Sequence, residues 1–239
     1  MKNQFKKILY CFDFPDGEKV NVELELDAED MSLKKEIPDN IPEWTKLDFH
    51  KCSVCRKDSS KVEYCPVALN IADVIDKFST LISHSRVRLE IFTHERAFIK
   101  EVPVQDGLSS LVGVIMATSD CSVLEMLRPM VLTHLPFATG EETAYRAMSM
   151  YMLGQYYRRS KGLDADLDMK GLKKIYERLS ELNRCFIERF RFKGGQDAHL
   201  NAIVKLSCFG EYTVSSIEDN LFVDFTKLYK PYYKDGEEK

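Results

Sequence analysis

Three cysteines and a histidine lie within sixteen residues of one another in the segment His50-Lys51-Cys52-Ser53-Val54-Cys55, nine further residues, and Cys65-Pro66. A Cys-x-x-Cys pair sets two thiolates on one tight knuckle, a geometry that suits Zn²⁺ at about 2.3 Å per sulfur or one edge of an iron–sulfur cluster. Cys65 supplies a third ligand, and a closed structural zinc site needs a fourth. Two residues compete for that place. His50 is close in sequence; Cys121 is distant but at an expected helix start, where the partial positive charge of the helix end favours a thiolate. Zinc is the expected cofactor and an iron–sulfur cluster the alternative. Lys51, Arg56, Lys57 and Lys61 would offset the negative charge of a tetrathiolate, and they serve an ordinary solvated loop equally well. A dithiol redox pair at Cys52 and Cys55 is the competing chemistry, but the βαβ context that usually surrounds one is missing.

The remaining chemistry-bearing residues are more isolated. Cys11 sits in a strand pattern, and Cys185 and Cys208 in helical apolar patterns, so all three read as small buried hydrophobes. His134 stands between two helices, ahead of Leu135-Pro136-Phe137, and is followed by Glu141, Glu142, Tyr145 and Arg146. That group makes a polar pocket capable of general acid–base chemistry, or else a histidine that caps helix carbonyls. Arg184, Arg189, Arg191 and Lys193 form a basic patch at a helix C-terminus, which reads as dipole compensation and solubility. Met148, Met150 and Met152, with Tyr145, Tyr151, Tyr156 and Tyr157, mark either a helix core or a soft surface for a partner helix. Nucleotide-binding glycine loops, a Gly-x-Ser-x-Gly elbow and repeated Glu-x-x-His pairs are all missing from the sequence.

Composition bounds the partners. The 239 residues carry 38 acidic and 34 basic side chains, well mixed, for a net charge of −4, so no basic field exists to hold nucleic acid. No apolar run approaches the ~18 residues of a membrane-spanning helix, and the apolar stretch after Lys7 is too short for a signal peptide. The expected location is therefore cytoplasmic. Seven cysteines without an export signal read as metal-binding or redox-active rather than disulfide-bonded.

The elements that must position these residues follow from periodicity. Residues 4–14 and 18–27 read as a hairpin, with Val20, Val22, Leu24 and Leu26 alternating against polar neighbours around an Asp16-Gly17 turn. Residues 27–42 form an extended connection to Trp44, which is expected to shield the cysteine knuckle. Pro66 opens a helix to about His84. Arg86–Thr93 and Ala97–Val104 make a second hairpin, and the two hairpins together predict a four-stranded antiparallel sheet with the helix laid across it. Helices are then expected at 108–116, 121–132, 139–160, 169–192, closed by Gly194-Gly195, and 197–229, bent near Gly210. The fold class is α+β: N-terminal antiparallel hairpins with a Cys-rich metal knuckle over residues 1–105, then a C-terminal helical bundle over 106–239, packed as one unit.

The order Cys52-x-x-Cys55…Cys65-Pro66-Val67-Ala68, Thr118-Ser119-x-Cys121 and Leu127-Arg128-Pro129-Met130…His134-Leu135-Pro136-Phe137 resembles a family of uncharacterised bacterial proteins over most of the chain. The resemblance implies that Cys121 belongs to the site and implies no reaction. Members more often have glycine before and proline after the fourth cysteine, where this chain has Asp120 and Ser122. The expected function is a non-enzymatic, structural-zinc interaction or regulatory protein with a protein partner or a second copy of itself, and no nucleic acid or membrane. Iron–sulfur electron transfer or redox sensing is the alternative, and an enzyme built around His134 the third reading.

Overall fold

The structure is a computed structural model, and it describes residues 4–34, 40–193, 197–218, 225 and 227–233. Strands β1 (Phe5–Asp13) and β2 (Lys19–Asp27) form the first hairpin, with Phe5 opposite Asp27 and Asp13 opposite Lys19. Gly17 takes a φ of 91° in the connecting turn, a conformation that costs glycine nothing. The second hairpin is β4 (Arg86–Phe92) and β5 (Ala97–Pro103). A two-residue β3 (Leu33–Lys34) adds an edge, so the sheet has five strands in the order β3-β2-β1-β4-β5, where the sequence predicted four. The alternation of β1 places Ile8, Tyr10 and Phe12 on the covered face, and β4 contributes Val87, Leu89 and Ile91.

Helices α1 (Pro66–Lys77) and α2 (Val104–Thr118) belong to the same apolar core as that face. Helix α1 starts where its proline predicts, since Pro66 needs no amide partner in the first turn. It stops at Lys77, seven residues short of the predicted end. The Ser79 hydroxyl donates to the Asp76 carbonyl, and the buried Phe78 ends the helix by turning into the core. Helix α2 is longer than predicted, because Gly107 allows the chain to continue against the sheet. A Cβ there would lie 2.6 Å from Leu89 Cδ2 and 2.8 Å from Phe12 Cε1.

The stretch predicted as a helix over 121–132 is instead a turn followed by a 3₁₀ helix, Glu125–Thr133. Pro129 lies inside it and removes the amide that an α-helix would need. Helix α3 (Gly140–Ser160) has a full capping box between Thr139 and Glu142, and Gly162 follows at φ 72°. Helix α4 (Lys170–Lys193) and helix α5 (Ala198–Glu218) complete the helical half, with a short turn of helix at Lys230–Tyr233. The Gly194-Gly195 stop, and the part of the last predicted helix over 219–224 and at 226, lie outside the described residues. One apolar core joins Tyr10 and Phe12 of the sheet through α1 and α2 to Phe186 and Phe190 of α4 and Ala202 of α5.

In the basic patch on α4, Arg184 and Arg191 are exposed as the sequence predicts, but Arg189 is not. Arg189 is only 1% exposed. Its Nη1 donates to the carbonyls of Trp44 (2.7 Å) and Lys46 (2.9 Å), and its Nη2 to that of Leu47 (3.2 Å). The guanidinium also lies over the rings of Phe49 and Phe186, at 6.0 and 5.7 Å from their centroids. The Trp44 ring packs edge-on against Phe190. An irregular segment is thereby held on α4 by its own backbone.

Two substitutions test this packing. Gly107→Ala is expected to lower stability by about 1–3 kcal/mol, because Leu89 and Phe12 are enclosed and must shift; the urea midpoint reads it, and an unchanged midpoint would show that the α2–sheet contact is loose. Arg189→Met strands the buried carbonyls of Trp44 and Leu47, while that of Lys46 keeps the Phe49 N–H, and is expected to cost about 3 kcal/mol in the same assay. Arg189→Lys should not restore the loss, since one ammonium lacks the planar fork that spans the three acceptors.

Candidate functional site

The cysteine segment is assembled in three steps. Residues 45–47 run antiparallel to 63–65: Leu47 N–H donates to Glu63 (2.8 Å), Cys65 N–H donates to Thr45 (2.8 Å), and Lys46 bridges Tyr64. This closes the neck of the loop that carries Cys52 and Cys55. Within the loop, Cys55 N–H donates to the Cys52 carbonyl at 3.0 Å, which makes the tight knuckle. The loop is then tied to its surroundings, because the Ser53 hydroxyl donates to Glu181 on α4 (2.7 Å) and Lys57 pairs with Asp120 (2.7 Å). The amide of Asn70 on α1 donates to Ser119 Oγ at 3.0 Å and fixes the approach to Cys121.

These ties bring Cys52, Cys55, Cys65 and Cys121 to the walls of one small cavity of about 20 Å³, closed by Leu47, Val67, Val123, Leu182 and Phe186. His50 is not among its lining residues. It takes a φ of 46°, is exposed, and lies edge-on to the Phe49 ring. Cys185, which the sequence treats as a simple core residue, is buried beside Cys52. No pattern in the sequence marks it, because its neighbour arrives from a loop more than a hundred residues away.

Burial pushes the Cys52 thiol up, and the neighbouring Cys185 and Cys65 add to the shift. Burial also raises Cys65, opposed by the Ala68 amide and the charge of Arg189. Cys121 is raised by burial as well, opposed by the amides of Val123 and Leu124 and by Lys57. These three sulfurs are thus neutral thiols at neutral pH, packing as small hydrophobes. Among the described residues, no group of three or more His, Cys, Asp or Glu side chains is arranged to hold a metal ion. The four sulfurs share a cavity wall, but the metal knuckle predicted from the sequence is not supported among the described residues.

His134 lies in a second and larger cavity. Its Nε2 is 2.7 Å from the Tyr10 hydroxyl, which is 3.3 Å from Ser110 Oγ. Burial, helped by the Arg146 charge, pulls the His134 pKa down to about 3, so the ring is neutral. Arg146 reaches the same cavity, as the sequence grouping anticipates, and its Nη2 donates to the Met130 carbonyl at 2.8 Å. The other members of that grouping are used elsewhere. Glu142 caps α3, the Tyr145 hydroxyl meets that of Tyr229 (2.8 Å), and Glu141 is exposed.

No helix among the described residues is long and apolar enough to cross a membrane. No curated protein and no solved structure matches the chain. Residues 8–230 match a family described as a domain of unknown function, DUF6901, and because that match spans most of the 239 residues, the chain belongs to this uncharacterised family.

Proposed function

We propose that the protein is a non-enzymatic metal-binding protein in which Cys52, Cys55, Cys65 and Cys121 hold a structural zinc ion. One observation carries the reading: four cysteines from three separate segments line the same small cavity. The local charge fits a thiolate site. The buried guanidinium of Arg189 has no carboxylate ion pair among the described residues, and its charge already favours the ionised forms of Cys52 and Cys65. Lys57 acts on Cys121 in the same sense. Four thiolates with two nearby cations suit a divalent ion, and side-chain rotation of the sulfurs is the rearrangement that binding requires. Cys121 takes the fourth position rather than His50, whose exposed, left-handed placement lies off the cavity.

In this role the ion ties the knuckle loop to the start of α1 and to the turn before the 3₁₀ helix, and its binding free energy adds to folding. The protein acts through a partner protein or a second copy of itself. Leu153, Tyr156, Tyr157, Leu163 and Leu167, exposed at and beyond the end of α3, support that part of the reading.

Protein purified without oxygen is expected to be colourless and to carry about one zinc per chain by elemental analysis. Brown protein containing iron would replace zinc with a cluster, and metal-free protein that binds no added zinc would overturn the reading. Cys121→Ser is expected to lose the zinc while His50→Ala retains it; the reverse result would reassign the fourth ligand. The pH dependence has a definite sign. Binding must displace protons from thiols whose pKa values are raised, so zinc affinity should fall steadily as the pH is lowered, read as metal released in a pH titration.

A further inference from the structure

The cavity that holds His134 and Arg146 measures about 520 Å³, within the roughly 300–1,000 Å³ typical of small-molecule sites. It lies between α2, the 3₁₀ helix, α4 and α5, and much of its wall is apolar, including Val114, Leu127, Val131 and Leu206. Two polar features of that wall are unexplained by the fold. Asn183 is 1% exposed, and neither its Nδ2 nor its Oδ1 has a hydrogen-bond partner. Arg146 Nε is buried without a partner, and among the described residues no carboxylate forms an ion pair with this guanidinium. A buried amide without partners and a half-buried cation with an unpartnered buried Nε and no carboxylate are costly, and both lie on the wall of the same cavity.

The other charges on the wall are accounted for. Asp106 and Lys205 pair with each other at 2.6 Å, and Lys100 is exposed, over the Phe137 ring. His134 is neutral and held by Tyr10. Within the cavity an anionic acceptor would thus meet the Arg146 guanidinium and the Asn183 Nδ2, leaving Asn183 Oδ1 for a water, beside an apolar volume much larger than the polar group needs.

We infer that this cavity binds an amphipathic monocarboxylate, with its carboxylate at Arg146 and Asn183 and its hydrocarbon body along Val114, Leu127, Val131 and Leu206. The singly charged head matches a single guanidinium. A phosphate monoester would bring about a second charge that the interior does not neutralise. A neutral ligand would leave Arg146 unmatched in a drier site than before. The inference is independent of the proposed zinc, since no cysteine lines this cavity.

Dodecanoate is the probe, titrated by calorimetry into the full chain in its purified metal state. Binding with a dissociation constant in the micromolar range is expected, with dodecanol and dodecylamine each weaker by about tenfold or more. Tighter binding of dodecyl phosphate than of dodecanoate would overturn the carboxylate assignment, and equal binding of dodecylamine would overturn the role of Arg146. Arg146→Met is expected to weaken dodecanoate about tenfold or more. Because Arg146 also holds the Met130 carbonyl, that variant risks misfolding, and Asn183→Leu decides the matter independently. It removes two unpartnered buried atoms, so it should raise the melting temperature of the free protein while weakening dodecanoate several-fold. Undiminished binding by a folded Asn183→Leu protein, or no dodecanoate binding to the wild-type chain, would overturn the inference.

Discussion

The guanidinium of Arg189 is the contact on which the rest of the arrangement depends. It donates to three carbonyls within four residues of irregular backbone, those of Trp44, Lys46 and Leu47, from a long helix. The segment has only a short 3₁₀ helix and an isolated bridge to 64, so without this donor the carbonyls of Trp44 and Leu47 would be stranded under α4. A planar fork with several N–H groups meets that need from one side chain. It also sets a positive charge close to Cys52 and Cys65, so the same contact that fixes the loop biases the chemistry of its sulfurs.

The two cavities are neighbours with shared walls. Helix α4 presents Leu182 and Phe186 to the cysteine side and Tyr176, Leu179 and Asn183 to the larger cavity. The chain from Cys121 to His134 does the same, with Cys121 and Val123 facing one and Leu127, Val131 and His134 the other. Pro129 keeps this stretch from becoming an α-helix, and the tighter 3₁₀ path carries it from the knuckle to the larger cavity within a few residues.

Much of the scaffold was legible because its signals are local. The alternation in β2, the Asp16-Gly17 turn, Pro66 at the start of α1 and the start of α3 near 139 each act within a few residues, and each appears where the sequence predicts it. Apart from the 3₁₀ stretch around Pro129, the misread places are those where a distant residue decides. Helix α1 ends early because Phe78 is drawn into the core, and α2 extends because Gly107 fits against Phe12 and Leu89. Arg189 looked like a solvated charge, since its acceptors lie more than a hundred residues earlier in the chain. Asn183 carried no signal at all, because an amide on a helix becomes conspicuous only when its surroundings are known to be dry.

The sequence by itself determined the class of the fold, the strand pairs within each hairpin, the starts of α1, α3, α4 and α5 and the presence of clustered thiols, all consequences of side-chain period and short-range backbone chemistry. Tertiary structure decided which sulfurs share a wall, that His50 stands apart while Cys185 comes close, and that Tyr10, Arg146 and Asn183 enclose a common space around His134. Those outcomes rest on burial and on contacts between remote segments. Whether a thiol is neutral, a histidine uncharged or an amide unpaired depends on the dielectric and the neighbours around it, and only the folded chain supplies both.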